Sequence, residues 1–520
     1  MNKSSRTSNV IKNVIGGVGG HIFTSIFMFI CRTYFIKLLG ATYLGVNGLF
    51  SNILSMLSLA ELGIGPAIVF SMYKPIANND EVHIAKLMNF YKNAYRIVAF
   101  VVAAIGLALV PFLDYLIKDA PEAINLKFIF ILILSNTVIS YFYAYKGSML
   151  NADQKSYVIV IFRNIFSVVQ NIAQIVVLII TGNFIVYLIT QMLTTFLGNI
   201  VQAKYVNKKY PFLVTYKNEK IDKGERADIM KRVRGMMMHK IGGFVLNSTD
   251  NMIISKVVGI ISVGIYSNYL MIINLIKNFI SQISGSLSAS VGNLIASESE
   301  EKSYSVFNSV FFVHFWIYSV CTICFWVLFQ PFIELWIGKK YLLDSLTLFL
   351  VLINFYCVGI QNCINTFTNA TGLFWESRYK PIAECVINLG VSIILAKKIG
   401  IAGIFLGTLA SYVCTFWINP ILVFKKQFKK SVAIYFLKFT MYLLITLIIA
   451  FGLGFVCNMI LPKATIISIV LRVLICAVVP NALYIALFFK TPEFKYCCGL
   501  FKNIIEKIIR RGSKNGNVQR

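Results

Sequence analysis

Residues 433–459 read AIYFLKFTMYLLITLIIAFGLGFVCNM, with Lys438 the one charged residue in the run. At a rise of 1.5 Å per residue it makes a helix of about 40 Å, longer than the roughly 30 Å hydrocarbon core of a bilayer. Residues 464–489 read the same way, and the pattern recurs through most of the 520 residues. Fourteen such stretches predict membrane spans: 12–38, 42–72, 91–117, 125–145, 157–181, 183–203, 240–257, 262–292, 308–335, 342–369, 379–396, 400–424, 433–459 and 464–489. Composition agrees, with 58% hydrophobic and 13% charged residues, against about 45–50% and about 25% in soluble chains. The expected fold is an all-α polytopic membrane protein. A soluble enzyme and a single-anchor protein are excluded. So is an outer-membrane barrel, because the apolar runs are continuous rather than alternating.

The formal charge of +28 is then a matter of sidedness rather than of nucleic-acid binding. With the N-terminus in the cytoplasm and fourteen spans, 35 Lys and Arg fall on the inner side, counting Lys240 with the central connection, and 9 on the outer side. The asymmetry follows the positive-inside rule and predicts a multi-pass protein of the cytoplasmic membrane with both termini inside. The basic stretch from Lys223 to Lys240 and the tail after residue 490 interleave cations with apolar residues. They read as amphipathic helices lying on anionic lipid at the cytoplasmic face.

The sequence also repeats. Lys37, Gly40 and Gly45 in KLLGATYLG correspond to Lys256, Gly259 and Gly264 in KVVGIISVG at a constant offset of 219 residues. Each reads as a tight external hairpin opening one half of a duplication. The expected organisation is a six-helix bundle at 1–203, a basic linker at 204–239, a second six-helix bundle at 240–430, two additional helices at 431–490 and the basic tail at 491–520.

Polar residues inside spans are expensive and mark cavities, pairs or interfaces. Arg32 in the first span and Lys277 in the eighth are the cations expected to face a cavity shared between the halves, with Asn47 and Asn274 beside them. Glu61 and Asp250 are the acids expected to pair with them or to couple transport to an ion. Gly63, Gly65 and Pro66, just after Glu61, predict a broken helix that offers backbone carbonyls to a cavity. Arg163, Arg472 and Glu384 lie near enough to an interface to snorkel. No Walker A loop, dinucleotide fingerprint, HExxH pair or metal-ligand spacing of His and Cys occurs, so no cofactor, metal or catalytic residue is expected.

The strings 38–45 (LLGATYLG), 61–65 (ELGIG), 246–251 (LNSTDN) and 263–266 (VGIY) resemble the multidrug/oligosaccharidyl-lipid/polysaccharide exporter superfamily over roughly residues 10–490. Within it, the chain is similar to the bacterial O-antigen-type lipid-linked oligosaccharide flippases. The resemblance implies a V-shaped pair of bundles that moves an undecaprenyl-pyrophosphate-linked oligosaccharide from the inner to the outer leaflet by alternating access. It also implies head-group contacts at Arg32 and Lys277, a role for Glu61 and Asp250 in ion coupling, a monovalent cation gradient as an energy source and a polysaccharide polymerase as partner. A lipid II flippase of the same superfamily and an ion-coupled multidrug/cation antiporter stay open. A membrane polysaccharide polymerase is disfavoured for want of a large external loop.

The charge asymmetry makes a direct prediction. In a chain otherwise free of reactive cysteines, Lys339→Cys labels with an impermeant maleimide in intact cells. Lys217→Cys labels only after permeabilisation, and the reverse pattern would invert the topology.

Overall fold

A computed structural model describes the backbone of residues 3–61, 64–117, 125–297, 299–371, 373 and 376–499. It describes their side chains except those of 3–19, 21–22, 59–60, 235–248 and 282–297. Among these residues the longer elements are all helices: α1 (Lys3–Leu57), α2 (Ile64–Ala77), α3 (Glu81–Leu109), α4 (Leu126–Ala144), α5 (Ser156–Thr181), α6 (Phe184–Lys209) and α7 (Lys223–Ile253). They continue as α8 (Ile260–Ser297), α9 (Glu300–Ile337), α10 (Ser345–Ala370), α11 (Lys380–Ile399), α12 (Ile401–Thr415), α13 (Ala433–Ile460) and α14 (Ile466–Phe488). The chain divides into two compact units, Met1–Ile276 with Ala396–Ile404, and Lys277–Leu395 with Phe405–Arg520. The eighth expected span therefore contributes to both.

Eleven helical stretches among the described residues are long and apolar enough to cross a membrane, by length and composition. The fourteen expected spans differ from this set in three places, each for a visible reason. The first two spans join in α1 through a kink at Gly40, and the rest of the second falls in α2, which at 14 residues is short. The seventh span, 240–257, continues the basic linker helix within α7, and its first half lies among the residues whose side chains are not described. The eleventh, α11, is interrupted by Glu384, Asn388 and Ser392, which hydrogen bonds and close packing tie to α12. Asn388 donates to Thr408 Oγ1 at 2.9 Å, Glu384 accepts from Thr415 at 2.8 Å, and Gly407 lies against Ser392.

Two glycines set the first unit. Gly40 has φ 83° and ψ −175°, and Gly259 has φ 132° and ψ 158°. Both fall in an extended, positive-φ region open essentially to glycine alone. Five residues after each, a second glycine permits close approach. A Cβ at Gly45 would run into the carbonyl of Ile260, and one at Gly264 into the carbonyl of Ala41. The offset of 219 that relates Gly45 to Gly264 also relates Ala41 to Ile260. Each hairpin thus presents its glycine to the same position of the other, as in a pseudo-two-fold contact.

The contacts sort the connections by end. In the first unit, Lys256 Nζ donates to the Tyr115 carbonyl and Lys127 pairs with Asp114 at 3.0 Å, so residues expected outside meet. At the other end, His83 Nε2 lies 2.9 Å from Glu225, and Asn89 donates to the carbonyls of Tyr216 and Glu219, each at 2.9 Å. In the second unit, Lys426 pairs with Glu376 at 2.5 Å and Lys429 with Glu300 at 2.6 Å. Lys426 holds the exposed Glu376 carboxyl below its ordinary range through a charge-assisted hydrogen bond.

The basic linker packs in part on the protein itself. Ile229 and Val233, one turn apart on α7, are buried in the protein, while Arg226 and Arg232 lie over the rings of Phe90 and Phe70 at 6.0 and 5.1 Å. That part of its apolar stripe is used internally, while Met230 and the cations Arg226, Lys231, Arg232 and Arg234 remain exposed. The tail from residue 500 onward and Gly63 lie outside the described residues.

The second unit has an aromatic core. Phe315 stacks on Tyr442 at 4.0 Å, and Phe307 and Phe311 pack against Tyr435. These contacts join α9 to α13.

The glycines separate three effects in thermal melts of the detergent-solubilised protein. Gly40→Ala meets nothing within 4 Å, so its cost is conformational, about 1–3 kcal/mol. Gly264→Val costs a similar 1–3 kcal/mol or more through overpacking against the Ala41 carbonyl. Gly390→Ala, in open space within α11, is neutral or stabilising by up to about 1 kcal/mol. Equal melting temperatures for Gly40→Ala and Gly390→Ala would contradict the strained-turn assignment.

Candidate functional site

In the first unit, Arg32 stands on α1 two turns before the Gly40 kink. Its Nε donates to Asn268 Oδ1 at 3.1 Å and its guanidinium also donates to Ser267 Oγ at 2.5 Å. Asn268 is fully buried, and its Nδ2 donates to the carbonyl of Gly264 at 3.3 Å; Ser267 Oγ donates to the same carbonyl at 2.8 Å. The half-buried cation is therefore latched onto the second glycine hairpin, and no acid pairs with it among the described residues. Asn47 lies beyond the kink on the same helix, half-buried, next to Gly48, which faces Val263 and Ser267.

Glu61 closes a short turn, Ser58–Glu61, between α1 and α2, and the helix resumes at Ile64 with Gly65 and Pro66 in its first turn. Proline fits there because those N–H groups have no intrahelical partner. Glu61 accepts from the hydroxyl of Tyr95, which accepts in turn from Tyr91 at 3.2 Å; Ser148 donates to Tyr91 at 3.2 Å. Gly65 leaves room for the Tyr91 hydroxyl. The acid is thus solvated by tyrosines rather than by a cation. Asp250 lies half-buried on α7, within electrostatic reach of Tyr266. The solvent-shielded oxygens Thr249 Oγ1, Asp250 Oδ1 and Asn251 Oδ1 have no hydrogen-bond partner.

In the second unit, a cavity of about 400 Å³ lies between α8, α9 and α10. Lys277 and Asn278 enter from α8, Tyr318 from α9, and Phe355, Asn362 and Asn365 from α10. Thr366 and Asn369 extend the α10 wall, so 362, 365, 366 and 369 form one helical stripe. Asn365 Oδ1 accepts from Asn419 at 2.8 Å, and Lys277 Nζ stands 5.9 Å from the centroid of Phe355. No carboxylate is among the lining residues. Asn274 is exposed one turn before Lys277 but does not line the cavity.

The asparagine stripe escapes a reading centred on charge, although its helical period within an otherwise apolar span is visible in the sequence. Of the other intramembrane charges, Arg472 and Glu384 differ from the snorkelling expectation, whereas Arg163 is exposed. Arg472 is buried and donates to the carbonyls of Val327, Cys457 and Leu461 and to Asn458 Oδ1, at 2.8–3.3 Å. It caps the C-terminal end of α13. Glu384 is held by Lys380 at 2.6 Å. Arg163 lines a separate hollow of about 390 Å³ with Gln170, Asn199 and Gln202.

The Arg32 latch has a measurable coupling. Arg32→Ala strands the buried Asn268 oxygen and costs about 1–3 kcal/mol. In a double-mutant cycle with Asn268→Ala in thermal melts, the two losses are non-additive by about 1 kcal/mol or more. Additive losses would dissolve the latch.

Residues 10–288 match the family model described as polysaccharide biosynthesis protein. No curated protein sequence matches the chain. Among solved structures, the lipid II flippase MurJ in an inward closed conformation aligns with TM-score 0.63 and 16% identity, over 91% of this chain and 99% of that one. A multidrug resistance MATE family transporter of the MOP superfamily, inward-facing, aligns with TM-score 0.60 and 14% identity, over 77% and 94%. A MATE transporter of Vibrio cholerae aligns with TM-score 0.56 and 15% identity, over 83% and 99%. At these identities the structural likeness carries the fold, and the family match, which spans more than half of the chain, carries the membership. The chain belongs to the polysaccharide biosynthesis protein family.

Proposed function

We propose that the protein is a flippase that moves an undecaprenyl-pyrophosphate-linked oligosaccharide from the inner to the outer leaflet of the bacterial cytoplasmic membrane by alternating access. The observation that carries this reading is the lining of the cavity around Lys277. It holds one cation, no carboxylate, and a wall of amides and hydroxyls with Tyr318 and Phe355. A lysine in a low-dielectric recess attracts a diphosphate. Asparagine and threonine satisfy sugar hydroxyls, and the rings offer apolar faces. A carrier of cationic drugs calls for the opposite polarity.

In this reading all fourteen expected spans cross the membrane, and both termini are cytoplasmic. Asp250, whose Oδ1 is shielded and without a hydrogen-bond partner, is the group for ion coupling to a monovalent cation gradient. Glu61 among its tyrosines tunes the break between α1 and α2. A polysaccharide polymerase is the partner that receives the translocated unit.

A lipid II flippase is the second reading, supported by the alignment over 99% of the MurJ chain. Its cargo presents the same diphosphate and sugars, and fold similarity favours it more than it favours any particular oligosaccharide.

Both cargos are tested in proteoliposomes with fluorescent lipid-linked substrates. The protein accelerates transbilayer movement of at least one of them. Lys277→Ala lowers the rate on the order of tenfold, corresponding to about 1.4 kcal/mol, and Lys277→Arg retains most of it. Exchange of a cationic dye against protons or sodium, without lipid movement, would replace this reading with the antiporter.

A further inference from the structure

A second basic hollow, of about 600 Å³, lies in the first unit between α3, α4 and α6, far along the chain from Lys277. Its polar end is formed by Lys92 and Arg96 from α3, Lys146 just past α4, and Lys204 and Asn207 from α6. The other end is apolar: Ile139 and Phe142 from α4, Phe196 and Ile200 from α6. On α6 the residues 196, 200, 203, 204 and 207 share one helical face, which changes from apolar to basic towards the helix C-terminus. A smaller adjoining hollow of about 190 Å³ shares Lys92 and Lys146 and adds Lys217. The hydrogen bonds from Asn89 to the Tyr216 and Glu219 carbonyls hold that segment in place.

The cations gather here without compensation. Lys92 lies within electrostatic range of both Arg96 and Lys217, and Lys146 within range of Lys92. No acid is among the lining residues of either hollow. Two carboxylates close by in the chain or the fold are engaged elsewhere: Asp153 by Lys155 and by the Tyr210 hydroxyl at 2.6 Å, and Glu225 by His83. Like charges facing one hollow repel unless an anion joins them. Lys146 is oriented into the group by a hydrogen bond to Asn207.

From this arrangement we infer that the hollow between α3, α4 and α6 is a second binding site, which takes the phosphate or diphosphate of a membrane lipid, with the lipid's chain along Ile139, Phe142, Phe196 and Ile200. The shape argues for a lipid over a free anion, because the basic end opens onto an apolar trough rather than closing around a small ion. Phospholipid and polyprenyl-diphosphate cargo share this chemistry. That the site loads cargo rests on the flippase reading; that it binds a lipid phosphate does not.

The test uses the full chain in nanodiscs. Binding of undecaprenyl diphosphate, phosphatidylglycerol and phosphatidylcholine is measured by native mass spectrometry and by thermal shift, for wild type and for the double variant R96Q/K204Q. Both altered side chains are exposed, so the variant keeps its fold, which the melting temperature without added lipid checks. At least one anionic lipid binds wild type and loses on the order of tenfold affinity in the variant, whereas phosphatidylcholine is indifferent to the change. K92Q provides an independent second variant with the same expected loss. Tighter binding of undecaprenyl diphosphate than of phosphatidylglycerol identifies the cargo as the occupant, and equal binding identifies the phospholipid. Equal affinity of wild type and both variants for every anionic lipid would overturn the site. Flipping in proteoliposomes that persists at the wild-type rate in both variants would overturn cargo loading at this site and leave the transport reading standing.

Discussion

The close approach of two glycine hairpins is the constraint on which the first unit depends. Gly40 and Gly259 turn the chain through a backbone conformation that side chains resist, and Gly45 and Gly264 then let each hairpin reach the other's carbonyl. In lipid there is little hydrophobic drive to press helices together, so small residues at a contact do the work of bringing backbones within van der Waals range. Arg32 fastens the same contact from one side, through Ser267 and Asn268. A residue expected to wait for an anion is therefore also part of the joint. Any ligand that draws the guanidinium away must supply its hydrogen bonds in exchange, and would loosen the hairpin contact as it did so.

Polar groups in this chain meet three fates. Some stabilise the fold: Arg472 gathers carbonyls at the end of α13, and Lys380 and Thr415 satisfy Glu384. Some form internal networks, as the tyrosines do around Glu61. The remainder line hollows: Lys277 with asparagines in the second unit, and a set of lysines and Arg96 in the first. Neither of these two hollows carries a lining carboxylate. That one-sidedness, more than any single residue, separates an anion carrier from a carrier of cations.

What the sequence made legible follows from which forces are local. A bilayer imposes length and apolarity on each span separately, so the runs can be read directly. The glycine hairpins were legible because the offset of 219 residues preserves lysine and glycine together. The partners of the polar residues on α7 and α11 were not, because Phe70, Thr408 and Thr415 come near them only in the fold. An amphipathic pattern at 223–240 announces a partner without naming it, and the partner proves to be the protein for Ile229 and Val233. Arg472 reads as an intruder until the carbonyls it caps are known. At the site, Lys277 was legible from its charge. Asn362, Asn365 and Asn369 were not, since amides cost too little to stand out one at a time, although their spacing places them on one face.

The claim that the Lys277 cavity receives an anionic lipid-linked glycan is tested most directly by protection of a cysteine placed in its wall. With Asn369→Cys as the reactive thiol, alkylation is followed in the presence of an undecaprenyl-pyrophosphate oligosaccharide, of lipid II, or of a lipophilic cation. The account predicts slowed alkylation with at least one of the two diphosphate lipids and none with the cation. Protection by the cation alone would contradict it.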